Sequence, residues 1–135
     1  MEEKSTNKIL VKNWLKKSIT ALKDTKKNIE IKSYETAQNR LYYAIFYAVS
    51  ALAKSENFIT SKHSQLLGWF NVNYIKTNKF DKKIASVYRT SFENRQKSDY
   101  TFYYIVNKKE LQQDTENAEK FILEIKKILK QNKVI

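Results

Sequence analysis

The nearly apolar run that decides the fold occupies residues 41–53 and reads LYYAIFYAVSALA. It is too short for the roughly 20 residues that cross a bilayer, and Arg40 and Lys54 bound it. The run belongs to a helix predicted from about Tyr34 to Lys54, and its apolar side chains occur on several sides of that helix. We therefore expect a buried, central helix, with Ser33 as its cap.

Chain breakers are scarce on both sides of this central helix. The 135 residues contain no proline and one glycine, Gly68. Helix-favouring residues are plentiful, which indicates long helices joined by short polar connections. A chain of this length fits one compact domain. The sequence predicts an all-α protein in which residues 1–135 form a single antiparallel bundle of four to five helices.

Four further helices are predicted from apolar periodicity and capping residues. They run from about Lys8 to Asn28, from Lys62 to Ile75 after Ser61 or Thr60 as a cap, from Asp81 to Tyr100, and onward from Asn107, where Glu110 completes a capping box. The predicted inward stripe of the first helix is Leu10, Trp14, Ser18, Ala21 and Thr25. That of the fourth helix is Ile84, Val87, Tyr88, Ser91 and Phe92. That of the last helix is Leu111, Thr115, Ala118, Ile122, Ile125 and Leu129. Residues 101–106 are rich in side chains that favour extended structure.

The charge balance of the chain favours a polyanionic partner. Basic residues outnumber acidic ones by 26 to 14, for a formal charge of +12. Lysine and arginine release counterions when they meet phosphates. Because the basic residues are spread along the chain, a solvated basic surface without such a partner is the alternative. The chain has no cysteine and begins without an apolar signal segment, so the expected compartment is the cytoplasm, with no membrane association.

Several classes of chemistry lack their residues in this sequence. There is one histidine, no Glu-x-x-His pair and no glycine-rich loop. A catalytic metal centre and a nucleotide-cradling loop are therefore not predicted. No metal and no cofactor are expected.

The best candidate site lies in the segment Phe92 to Tyr100. Only three of the basic residues are arginine, and Arg95 could hold a phosphate or carboxylate in two-point contact. Asp99 follows one helical turn later on the inward row. The two could form a simple intrahelical ion pair, but this order of base before acid is the less favourable one. The alternative is that Asp99 orients Arg95 toward a phosphate, a partner chain or a buried carbonyl.

The single histidine and the tyrosines each allow two interpretations. His63 falls at the predicted start of the third helix, where the helix dipole disfavours the protonated imidazole. It could act as a neutral base or have no role. Tyr42, Tyr43 and Tyr47 could pack in the core and at interfaces, or they could stack on RNA bases.

Four separated motifs occur in order along the chain. They are NRLYYAIFYA at residues 39–48, SKHS at 61–64, FDK at 80–82, and FENR at 92–95 with SDY at 98–100. With these gaps, ahead of the last helix, the sequence from about Tyr34 to Leu129 resembles small prokaryotic HEPN-domain proteins.

This resemblance implies a helical bundle that is usually a homodimer and is often encoded beside a minimal nucleotidyltransferase, its antitoxin. Toxins of the family are metal-independent endoribonucleases. Their signature is an arginine, four to six residues, and a histidine, and two copies meet across the dimer cleft. The arginine holds the scissile phosphate while the histidine moves protons. Arg95 matches the arginine.

The histidine of the signature has no match here. The corresponding positions hold Tyr100, Thr101 and Phe102, none of which exchanges protons near neutrality as imidazole does. The sequence follows a branch of the family with arginine, three residues, aspartate and tyrosine. If this chain cleaves RNA, His63 or Tyr100 has to replace the missing histidine. In some family toxins a tyrosine two residues past the histidine is adenylylated, and Phe102 stands at that place.

The sequence thus predicts a toxin-like or RNA- or nucleotide-binding half of a two-component system, whether or not it is a ribonuclease. The alternatives are a non-catalytic module that docks a nucleotidyltransferase and a basic helical protein that binds nucleic acid by charge alone. The candidate catalytic residues are Arg95, Asp99, Tyr100 and His63, and the candidate binding residues are Arg40, Tyr43 and Lys97.

Overall fold

The computed structural model describes residues 2–100 and 104–135, and the side chains of residues 6–99 and 104–135. Within them lie five α-helices and no strand: α1 Glu2–Glu30, α2 Tyr34–Ser55, α3 His63–Phe70, α4 Lys82–Tyr100 and α5 Lys108–Gln131. A π-helical turn, Asn71–Ile75, continues α3 without a break. The predicted all-α bundle is confirmed.

Helix α2 lies at the centre, as its apolar run predicts. It contacts α1, α3, α4 and α5, and eight of its residues are fully buried, namely Ala37, Tyr42, Ala44, Ile45, Ala48, Val49, Ala51 and Leu52. Helices α1 and α2 are antiparallel, because the side chains of Asn7 and Ser18 donate hydrogen bonds to the carbonyls of Lys54 and Ala44 respectively. The buried Ser18 bond, at 2.5 Å, ties the two backbones together.

A second part of the core is aromatic and lies where α4 and α5 meet the end of α3. Phe70 is within 5.7 Å, centroid to centroid, of the rings of Phe80, Tyr88 and Phe121. All four side chains are at most 3% exposed. This cluster fixes α3 against α4, and so it positions the beginning of α3 beside the second half of α4.

At four turns a residue other than glycine adopts the left-handed backbone conformation that glycine usually provides. Lys32, Asn57, Asn78 and Lys133 have φ between 57° and 62°. At each turn the following amide donates to a carbonyl five residues back, for example from Ser33 to Asn28 and from Phe58 to Ala53. These bonds satisfy carbonyls at the helix ends, which explains how a chain with one glycine forms so many sharp helix ends.

The helix boundaries correct several predictions. Helix α1 runs from Glu2 rather than Lys8, and its buried stripe includes Val11 and Leu15, whereas Leu10 is 38% exposed. The rest of the predicted stripe is correct, because Ser18, Ala21 and Thr25 are buried and Trp14 is half-buried.

Capping residues were predicted with mixed success. Asn107 caps α5, and its side chain accepts the Glu110 amide at 3.1 Å. Ser33 stands at the cap position of α2, but its side chain makes no capping bond. Lys62, not Ser61 or Thr60, occupies the cap position of α3. Asp81 precedes α4 and accepts the Lys83 amide.

The predicted extended stretch at 101–106 lies partly outside the described residues. Its described part, residues 104–106, is not helical.

Candidate functional site

The Arg95 guanidinium lies between helices α4, α2 and α3. Arg95 follows the buried Ser91 by one turn of α4, so it points inward, and its side chain is 26% exposed. The guanidinium carbon is 5.1 Å from the ring centre of Tyr42 and 5.3 Å from that of Tyr43. Cation–π contacts of this kind stabilise a charge that is partly removed from water.

His63, the first residue of α3, completes the cluster from the other side. Its Nδ1 is 2.7 Å from the Tyr42 hydroxyl and 3.5 Å from Nη1 of Arg95. Its ring stacks on Phe46, with centroids 4.2 Å apart and an interplanar angle of 18°. The hydroxyl bond, the stack and the arginine contact hold the imidazole in one orientation.

The surroundings of His63 keep its imidazole neutral. Burial lowers the pKa of His63, and the neighbouring Arg95 charge lowers it further. The sequence predicted a neutral imidazole because of the helix dipole, and the contacts add these two causes. Burial raises the pKa of Tyr42 well above its ordinary value, so its hydroxyl keeps its proton.

These protonation states determine the tautomer of His63. Arg95 has only donors, and it faces Nδ1 at 3.5 Å. The Tyr42 hydroxyl, which is protonated, faces the same nitrogen at 2.7 Å. Nδ1 is therefore the acceptor, and the ring proton is on Nε2. The neutral His63 presents a donor on the side of its ring away from Arg95.

The contact between Arg95 and Asp99 is loose. Nε of Arg95 is 3.7 Å from Oδ2 of Asp99, and the Asp99 side chain is 49% exposed. Nε is itself buried and has no hydrogen-bond partner among the described residues. A buried guanidinium donor without an acceptor is costly. The ion pair exists, but it leaves a donor of Arg95 unused.

Of the predicted binding residues, Arg40 and Tyr43 join this cluster and Lys97 does not. The guanidinium carbon of Arg40 is 5.1 Å from the Tyr43 ring centre, so Tyr43 contacts two arginines. Arg40 also donates two bonds to Asn39 Oδ1. Lys97 is exposed on α4 and is not among the cations over Tyr42 or Tyr43. The side chain of Tyr100 lies outside the described residues.

Two members of the cluster were not predicted as site residues. Tyr42 donates to His63, and Phe46 stacks on it. Tyr42 was expected to be a core, interface or base-stacking ring, and Phe46 was only part of the apolar run of α2. Their spacing of four residues on one helix is the signal that places them on one face. No local pattern shows that His63, 32 residues before Arg95, reaches this face.

A cavity of about 480 Å³ opens beside the cluster and has His63 in its wall. Its other walls are mostly apolar and include Trp14, Phe46 and Phe58. Among the described residues no group of histidine and acidic side chains could hold a metal ion. The chemistry available here is anion binding by Arg95 and hydrogen bonding or proton transfer by His63.

Comparison with known proteins points to one family. The model of the HEPN domain matches residues 11–132. A UPF0332 protein of Thermotoga maritima is 32% identical over 89% of this chain and 91% of its own length. Two proteins of Methanocaldococcus jannaschii, named as candidate toxins, are 31% and 30% identical over 71% and 76% of this chain and 65% and 75% of their own lengths. Among the helices as described, none is both long and apolar enough to span a membrane.

Proposed function

The chain belongs to the HEPN-domain family, and on that premise we propose that it is the RNA-binding, toxin-like half of a two-component system, with Arg95 as its phosphate contact. The observation that carries this proposal is the state of the Arg95 guanidinium. The guanidinium lies over the rings of Tyr42 and Tyr43. Its buried Nε has no hydrogen-bond acceptor in the described part of the chain.

Arginine can hold either a carboxylate or a phosphate in two-point contact, and the basic charge of the chain favours phosphate. The guanidinium fork matches two phosphate oxygens at once. Asp99 approaches only to 3.7 Å, so it orients Arg95 without occupying the fork. The formal charge of +12 attracts a polyanion over the whole surface. RNA is the polyanion that we propose, because the resemblance to toxins of this family implies it, and two relatives are named as candidate toxins.

Metal-independent cleavage is the finer form of this proposal. In that reaction the ribose 2′-hydroxyl loses its proton and attacks the adjacent phosphorus, and the 5′-oxygen of the next nucleotide leaves and takes up a proton. Arg95 stabilises the added negative charge on the phosphorus centre. His63 is the one imidazole in the chain, and the 3.5 Å between its Nδ1 and Nη1 of Arg95 supports a role for it beside that charge. In this form of the proposal His63 transfers the protons, which is the role of the signature histidine that is absent after Arg95.

Non-catalytic binding is the second candidate, and the hydrogen bonds of His63 favour it. Nδ1 accepts from Tyr42 at 2.7 Å, and Nε2 carries the proton. Neither nitrogen is then a free base. In this candidate Arg95 binds a nucleotide or RNA, and the protein docks a minimal nucleotidyltransferase without cleaving anything.

The partners belong to the same proposal. We expect a homodimer in which two copies of Arg95 face one cleft, and a nucleotidyltransferase encoded beside this chain as its antitoxin. Light scattering of the purified protein measures whether it is a dimer. Co-purification with the product of the neighbouring gene measures whether it binds the nucleotidyltransferase. A monomer that binds no nucleotidyltransferase would remove the two-component part of the proposal.

One experiment tests RNA binding and cleavage together. The wild type, Arg95→Ala, His63→Ala and Arg89→Ala are compared, because Arg89 is an exposed arginine of the same helix. Fluorescence anisotropy with a short single-stranded RNA measures binding, and gel analysis of total RNA in EDTA measures cleavage. We expect Arg95→Ala to weaken binding about tenfold or more, from the loss of a charged hydrogen bond, and Arg89→Ala to change it little.

The outcomes separate the two candidates. RNA that disappears with the wild type but survives with His63→Ala supports the ribonuclease. RNA that survives with every protein, together with binding that depends on Arg95, supports the non-catalytic candidate. Equal binding by wild type and Arg95→Ala would show that the site is misassigned.

A further inference from the structure

A continuous row of aromatic rings leads away from Arg95 across α2 to α1. The rings are Tyr42, Tyr43, Tyr47 and Trp14, and successive centroids are 5.3, 5.6 and 5.7 Å apart. Tyr42 is buried, whereas the other three are half-buried. The row therefore begins in the core beside the proposed site and continues at the surface of α1 and α2.

Cations lie over each ring of this row. Arg95 lies over Tyr42 and Tyr43, and Arg40 lies over Tyr43 at 5.1 Å. Lys17 Nζ is 5.1 Å from the Trp14 ring and 5.7 Å from the Tyr47 ring. Two of the three arginines of the chain thus share one ring.

Tyr47, the third ring of the row, lies in the wall of a groove between α1 and α2. Its volume is about 510 Å³, and its walls include Lys16, Lys17, Arg40 and Tyr47, with Asp24 as the acidic group. Among the described side chains, carboxylates come within 4.0 Å of only Lys26 and Arg95. No carboxylate of the described residues therefore neutralises the three cations of the groove, and the acceptor that Arg40 has is the uncharged Asn39 amide.

We propose that this groove, which we call the α1–α2 groove, binds a second stretch of single-stranded nucleic acid whose first phosphate is held by Arg95. The inference rests on the proposed function and extends it from a single phosphate contact to a path several nucleotides long. Tyr43 and Arg40 connect the two ends of the path. Lys16, Lys17 and Arg40 contact backbone phosphates, and Tyr47 presents a ring face for a base.

The composition of the path favours a single strand over a duplex. Proteins that bind single strands combine a basic groove with aromatic side chains on which bases stack. In a duplex the base faces are already stacked on one another, so half-buried rings such as Tyr43 and Tyr47 would gain no contact. A surface of lysines alone would bind either form, whereas a basic groove with an aromatic ring in its wall favours the unpaired one.

The test compares the affinities of a dinucleotide and a hexanucleotide RNA by fluorescence anisotropy over a range of salt concentrations. The double variant Lys17→Ala/Arg40→Ala removes two cations of the α1–α2 groove. Its matched control, Lys27→Ala/Arg89→Ala, removes one exposed lysine of α1 and one exposed arginine of α4, so the net charge of the two proteins is equal. Tyr47→Leu removes the ring and keeps apolar bulk. Circular dichroism checks that each variant is folded.

The wild type is expected to bind the hexanucleotide roughly tenfold more tightly than the dinucleotide, from stacking and added phosphate contacts. The groove variant should lose this length effect and reduce the slope of log affinity against log salt by about 1.4, for two single-strand contacts. Tyr47→Leu should reduce the length effect and leave the slope unchanged. The matched control should behave like the wild type.

Other outcomes overturn the inference and separate it from the proposed function. If the dinucleotide binds through Arg95 and the hexanucleotide binds no more tightly, the groove is not part of the path, and the proposed function stands. If both double variants reduce the length effect equally, only net charge matters and the inference is wrong. If the groove variant changes the oligomeric state and not the length effect, the groove is a protein interface. If neither oligonucleotide binds, the proposed function itself fails.

Discussion

The Tyr42 hydroxyl donates a 2.7 Å hydrogen bond to Nδ1 of His63. This bond joins a fully buried residue of the central helix to the first residue of α3. It fixes both the orientation and the tautomer of the only imidazole in the chain. A core residue of α2 thereby controls which nitrogen of His63 is available to a ligand.

The Tyr42→Phe variant tests this control. We expect loss of the hydroxyl to lower the free energy of unfolding by about 1 kcal/mol, the usual net value of such a bond. The preference for the Nε2 proton should weaken, which nitrogen chemical shifts of the single imidazole measure directly. Tyr47→Phe is the control, because its hydroxyl has no hydrogen bond among the described residues. Identical imidazole shifts in wild type and Tyr42→Phe would contradict the assigned tautomer.

Arg95→Ala should raise the pKa of His63 toward its ordinary value of 6.5, because the Arg95 charge is one of the two causes of its decrease. Burial, the larger cause, remains. NMR titration of the one imidazole measures the change, and Arg89→Ala should produce none. A pKa that stays the same in Arg95→Ala would show that the two groups are not close in solution.

The lowered pKa of His63 makes the stability of the folded protein depend on pH. The unfolded chain takes up the His63 proton more readily than the folded chain does, so the contribution of this group is fully present above pH 6.5 and declines as the pH falls toward the folded pKa. This decline should be smaller in Arg95→Ala. Chemical denaturation at a series of pH values below neutrality measures it.

Asp114 should destabilise the folded protein at neutral pH. Burial and the neighbouring Glu110 raise its pKa from 3.8 to about 6. The folded state therefore binds this proton more tightly, and the stabilisation is present below pH 3.8 and is lost as the pH rises through about 6. Asp114 also shares a small cavity with Gln38, whose amide atoms have no partners among the described residues.

The Asp114→Asn variant should consequently be more stable than the wild type by about 1 kcal/mol at pH 7, after allowance for partial solvent screening. The difference should disappear near pH 4. Glu116→Gln, an exposed change on the same helix, should show no such pH dependence. Equal stability of Asp114→Asn and wild type at both pH values would contradict the buried environment.

Two substitutions at helix starts should differ in cost. Asn107→Ala removes a side chain that accepts the Glu110 amide at 3.1 Å, and it should cost about 1 kcal/mol. Ser33→Ala, at the cap position of α2, should cost less, because the Ser33 side chain makes no capping bond. Thermal unfolding of the two variants measures the contrast. A larger loss for Ser33→Ala would mean that its hydroxyl caps α2 in solution.

The sequence was sufficient for those features that depend on local patterns. The apolar run at 41–53 predicts the central helix because a helix apolar on several sides has to be buried. The stripe of α5 from Leu111 to Leu129 was correct, since all six of its predicted members are buried. Asn107 was identified as a cap because its side chain bonds within its own turn.

The candidate site was predicted only in part, because its geometry depends on contacts between distant segments. Arg95 and Asp99 were visible as one turn of a helix. The meeting of His63 with Tyr42 and Arg95 depends on how the aromatic cluster around Phe70 orients α3, and no spacing in the sequence encodes that rotation. In α1 only the first position of the stripe was misjudged, because Leu10 and Val11 are adjacent apolar residues and the pattern does not show which of them faces the core.

The two adjacent tyrosines of α2 that contact Arg95 lie in different environments. Tyr42 belongs to the core, whereas its neighbour Tyr43 is half-buried, and Arg95 contacts both rings. With the proposed function, substitution of Tyr42 should alter folding and ligand binding at once, so selection on either property restricts it. Tyr43 and Arg40 can vary without opening the core. Divergence in ligand preference among relatives of this protein should therefore accumulate at the second tyrosine position, while the first stays constant.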